Sequence, residues 1–88
     1  EKKDFETFIR ERAKWVLSRK DQHGGWEYIS TSNLAIQALL LAGFEDEVED
    51  SIHWLLENTH TSGAWGNKEE DINATALTLT TLGLYKQA

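Results

Sequence analysis

The feature that most constrains this chain is an internal repeat. Shifted by 39 residues, the sequence aligns with itself: Ile9 meets Val48, Trp15 meets Trp54, and Val16-Leu17 meets Leu55-Leu56. Gly24 then meets Gly63 and Trp26 meets Trp65. Beyond the second tryptophan the shift becomes 40, so that Asn33 meets Asn73, Leu39 meets Leu79 and Gly43 meets Gly83. All four tryptophans fall into register. A chain of 88 residues is at most one small domain or a piece of one, here built from two copies of one unit, about 1–44 and 45–88.

Each unit reads as helix, glycine-tryptophan loop, helix. In the first unit Phe5, Phe8, Ile9, Ala13 and Val16 recur at helical spacing, which predicts a helix over about Lys3 to Arg19. Asp21-Gln22-His23-Gly24-Gly25 stops it, because paired glycines favour backbone conformations that a helix cannot continue. A second helix is expected over about Ser32 to Ala42, with Thr31 or Ser32 as N-cap and Gly43 as C-cap. It is apolar nearly all round, which predicts burial on most sides. A third helix over about Glu45 to Asn58 opens with acids that suit the positive end of its dipole, and a fourth spans about Ile72 to Lys86. The expected class is therefore all-α, two tandem helical hairpins, with the first helices outside and the second helices inside.

Composition narrows the function. With 9 Lys and Arg against 15 Asp and Glu, the formal net charge is −6, and a general nucleic-acid binder would want a basic face instead. The longest apolar run, Ala38 to Ala42, falls far short of the ~18 residues that a membrane span needs. No leader of secretory type opens the sequence. The absence of cysteine removes disulfides, thiolate metal ligands and thiol nucleophiles, and suits a reducing, cytoplasmic setting. His23, His53 and His60 lack metal-site spacing, so no metal and no cofactor is expected.

Trp15-Val16-Leu17 followed by Gln22-His23-Gly24-Gly25-Trp26 resembles the "QW" repeat of the squalene and terpene cyclases. Trp54-Leu55-Leu56 followed by Ser62-Gly63-Ala64-Trp65-Gly66 looks like a second copy that lacks the glutamine. The protein prenyltransferase β-subunits share the α/α-toroid architecture that this resemblance implies: helical hairpins in a ring, inner helices around the axis and outer helices around those. About six hairpins make such a ring, so three chains of two would complete one. Trp15, Gly24, Trp26, Trp54, Gly63 and Trp65 are then structural residues of the repeat.

Asp71-Ile72-Asn73-Ala74-Thr75-Ala76 resembles the Asp-x-Asp-Asp-Thr-Ala segment of class II terpene cyclases, whose central aspartic acid protonates an alkene or epoxide. Here Asn73 stands at that position, and an amide is no Brønsted acid. Asp71 is the remaining, weak catalytic candidate, and its ordinary explanation is an N-cap for the fourth helix. Thr75, Thr78, Thr80 and Thr81 replace Ala35, Ala38, Leu40 and Leu41 of the first unit. Their hydroxyls either bond back to the helix or, with Thr75 and Thr78 on one face, line a polar lumen, for which Asn73 is a further candidate.

Two repeats are fewer than the ~3 that usually bury a repeat protein's core. Residues 1–44 hold seven Lys and Arg against six Asp and Glu, a balance of +1; residues 45–88 hold two against nine, a balance of −7. Such a split favours head-to-tail contact between copies. The functional expectation is a self-assembling repeat protein, trimeric by the ring count, with a structural role or a cavity for an apolar small molecule. The alternatives are an isoprenoid cyclase-like enzyme, a protein-binding helical repeat module, or a fragment or small design patterned on a longer cyclase-like protein.

Overall fold

The structure is a computed structural model that describes residues 2–66 and 69–88. Its described residues are helical wherever they are regular: α1 (Lys2–Ser18), α2 (Ile29–Leu41), a 3-10 turn (Asp46–Val48), α3 (Glu49–Glu57) and α4 (Ile72–Gln87). The all-α class follows. The elements form an elongated body of 46 × 25 × 19 Å.

The helix ends show why these segments form. α2 stops at Gly43, whose φ of +88° is open to glycine at no steric cost. There Phe44 N–H bonds Leu39 O (2.9 Å) and Gly43 N–H bonds Leu40 O (3.1 Å), the paired bonds of a Schellman ending. α4 begins where the Asp71 carboxylate accepts from Ala74 N–H at 3.0 Å and so satisfies one orphan donor of the first turn.

Several expected boundaries are corrected. α2 begins three residues before Ser32, behind an extended Tyr28 that offers no side-chain cap. Ser32 is instead fully buried, its hydroxyl accepting from Trp26 N–H at 2.7 Å; neither it nor Thr31 is the N-cap. The third helical segment opens as a 3-10 turn before α3 proper. α4 runs through Gly83, the counterpart of Gly43, and ends at Gln87, one residue past the expected Lys86. Burial of α2 is also one-sided, for Leu34 and Leu41 stay exposed.

The core joins both units. Ile36 and Leu39 of α2, Val48 of the 3-10 turn and Leu55 of α3 are completely buried. Trp26, Ile29, Phe44, Ile52 and Trp65 surround them. The most extensive helix contact is between α2 and α4, the second helices of the two units, while α1 packs on α2.

Candidate functional site

The two glycine-tryptophan loops are built alike. In the first, Asp21 N–H bonds Gly25 O (2.8 Å) and Gly24 N–H bonds Asp21 O (3.2 Å). Thirty-nine residues on, His60 N–H bonds Ala64 O and Gly63 N–H bonds His60 O, both at 2.8 Å. Gly24 and Gly63 both take positive φ, +96° and +88°. Each loop ends in a buried tryptophan whose indole N–H donates to a helix carbonyl ten residues earlier, Trp26 to Val16 O (2.8 Å) and Trp65 to Leu55 O (2.7 Å). A large apolar ring with one donor suits this position, since the freed carbonyls near a helix end need partners.

Side-chain chemistry distinguishes the loops. The Asp21 carboxylate accepts from the N–H groups of His23 (2.9 Å), Gly25 (3.2 Å) and Glu27 (3.1 Å). This clamp holds Glu27 at a φ of +71°, uncommon for a side-chain-bearing residue. Desolvation pushes the Asp21 carboxyl up, but the three backbone donors and the charge of His23 outweigh it and hold it below the usual carboxylate range. In the second loop His60 takes the Asp21 position, and its Nε2–H donates to Gly66 O at 3.0 Å.

Of the other two tryptophans, Trp54 marks the junction between units. The Trp54 ring lies against Gly25, where a Cβ would stand 3.0 Å from the ring carbons. Beside it Lys20 Nζ reaches Asp50 Oδ1 (2.9 Å) and Glu47 O (2.8 Å). Between α2 and α4, Asn33 Nδ2 donates to Thr78 Oγ1 (2.8 Å) and to Ile29 O (3.0 Å). Gln37 Nε2 donates to Thr81 Oγ1 (3.0 Å) and Leu77 O (3.2 Å). Trp15, in contrast, is 60% exposed, with the Arg19 guanidinium 5.0 Å from its ring centre.

The remaining candidates separate. Thr78 is fully buried, donating to Ala74 O while accepting from Asn33. Thr75 is half-buried; its hydroxyl accepts from Trp65 N–H at 3.0 Å and donates to Trp65 O at 3.3 Å. Asn73 and Asp71 are exposed. Asp71, Thr75, Ala64, Glu70, Ile72, Ala76 and Leu79 line a shallow, mainly apolar groove of about 400 Å³. The Glu70 carboxyl on its rim is held below the usual range by its own backbone N–H, helped by Ser62 and the charge of His60.

Sequence reasoning did not find this groove, nor the Asn33–Thr78, Gln37–Thr81 and Lys20–Asp50 bridges. The signal for the first two lay in polar residues on otherwise apolar helices, whose pairing needs the relative placement of α2 and α4. Among the described residues no three His, Asp or Glu side chains gather as a metal site, and no helix is long and apolar enough to cross a membrane. Compared with family models, curated proteins and solved structures, the chain matches none.

Proposed function

We propose that this chain is a self-assembling helical repeat protein of the α/α-toroid kind, its role structural, with a central cavity able to hold an apolar small molecule. The observation that carries this reading is the apolar surface left open by two units: Phe5, Phe8, Ile9, Trp15, Leu34 and Leu41 on the first, Ile72 and Leu79 on the second. Exposed apolar area on this scale marks interfaces. The charge split of +1 against −7 lets unlike ends meet. Three copies would bring six hairpins together. Light scattering after size exclusion, across a range of concentrations, tests this. A mass near three times 10.1 kDa is expected; a monomer at every concentration rejects the reading.

A second reading, an isoprenoid cyclase-like activity, has one observation in its favour: Asp71 stands on the rim of an apolar groove. Asn73→Asp restores the acid at the position where the resemblance expects the proton donor. Turnover of an isoprenoid alkene by that variant supports this reading, and no turnover by either form removes it.

A further inference from the structure

Resting on the self-assembly reading, we propose that the groove at the start of α4 is the seat of Trp15 from a second copy of this chain, docked as Trp54 docks on Gly25 within one chain.

The junction between units is made by two half-faces. The first unit supplies the Gly24-Gly25 loop, Lys20 and the Asn33/Gln37 side of α2; the second supplies Trp54, Asp50 and the Ala74/Thr78/Thr81 side of α4. Moving each half-face by one repeat lands on a surface that is open. Counterparts of the second unit's half on the first unit are Trp15 for Trp54, and Leu34, Ala38 and Leu41 for Ala74, Thr78 and Thr81. Ala74, Thr78 and Thr81 are at most 1% exposed, whereas Leu34 is 57% and Leu41 77% exposed. In the 3-10 turn ahead of α3 Val48 is fully buried, and its counterpart Ile9 on α1 is 49% exposed.

The other half repeats the pattern. Gly24 and Gly25 are buried, while Gly63 is exposed and Ala64 half-exposed. Ile36 and Leu39 are completely buried, while their counterparts Ala76 and Leu79 are exposed and lie in the groove wall. Asn33 is buried in its bridge to Thr78, and Asn73 is exposed. Every compared pair departs in one direction: buried where the chain supplies a neighbour, open where it does not. The groove reaches Ala64, the counterpart of the Gly25 on which Trp54 lies.

Charge agrees with this occupant. Trp15 sits on α1 among Arg12, Lys14 and Arg19, with one acid, Glu11, paired to Lys14 (3.8 Å), and the groove rim carries Glu70 and Asp71. Contact of one face with a different face is heterologous, so copies add head to tail and close into a ring where the rotation allows.

Two variants that each spoil one half-face decide the matter. Trp15→Ala removes the knob and keeps the groove; Ala76→Lys blocks the groove and keeps the knob. Both positions are exposed, so each chain should keep its circular dichroism spectrum and cooperative unfolding. Sedimentation velocity should find each variant alone at least about tenfold weaker in self-association than the parent chain, the scale for losing a buried tryptophan anchor. Their equimolar mixture should form a 1:1 dimer through the single intact pair of half-faces. A mixture that stays monomeric, or variants that assemble like the parent, would overturn this docking mode and leave self-assembly standing. A parent chain that is monomeric throughout overturns both.

Discussion

Asp21 and His60 stand at the same place in the two loops and hold them by different means. The carboxylate gathers three backbone N–H donors, so its ionised form is the one the folded loop favours. Because its folded pKa lies below the unfolded value, its contribution is present above the ordinary carboxylate range and is lost as pH falls through the folded value. Asp21→Asn should therefore destabilise the chain at neutral pH and flatten the acid limb of stability below about pH 4, as followed by thermal unfolding across pH. Gly66 is constrained by space rather than by charge. A Cβ there would overlap the carbonyl oxygen of Glu69, so Gly66→Ala should force the chain apart behind the second loop. A stability loss of about 2 kcal/mol or more is expected in urea unfolding. Gly63→Ala offers the comparison: among the described residues nothing crowds that position, and its positive φ opposes the methyl group. Its cost should be about 1 kcal/mol.

At the scale of elements, α2 and α4 are joined by polar bridges within an apolar seam. Thr78 is buried, and Thr78→Val keeps its shape while leaving Asn33 Nδ2 with only the Ile29 carbonyl. Among the described residues Asn33 Oδ1 has no partner either, so this substitution should cost about 1–3 kcal/mol in denaturant unfolding. Asp71→Ala should cost about 1 kcal/mol, the usual scale for an N-cap, and should fray the first turn of α4 by amide hydrogen exchange. Four helices were legible as elements because their apolar spacing and breakers are local. The start of α2 was not. Ser32 carries the chemistry of a cap, but its hydroxyl serves Trp26 N–H instead, and a local signal cannot say which of two backbone donors it will meet. The expected span of α4, to about Lys86, runs through Gly83, and the helix does so, ending at Gln87.

For the whole molecule, the junction between the two units carries a charge pair that the proposed junction between copies lacks. Lys20 bridges to Asp50 within the chain, and the counterparts of these residues are Thr59 and Glu11. In the head-to-tail arrangement Thr59→Lys should meet Glu11 of the next copy. It should tighten assembly by a few-fold at low salt and lose that gain in ~1 M salt, both read by sedimentation. Adding Glu11→Lys should cancel it.

The sequence by itself determined the helices, the two-unit organisation, and the loops in which Gly24, Trp26, Gly63 and Trp65 recur. Those features depend on spacing, on glycine's freedom at positive φ, and on a ring that carries one donor, all properties of residues close together along the chain. Only the tertiary structure decided which copy of each repeated residue is covered. Trp15 and Trp54, or Leu39 and Leu79, are chemically the same in the sequence, yet Leu39 is buried and Leu79 is not. Burial belongs to neighbours in space, and the two units of one chain have a neighbour on opposite sides.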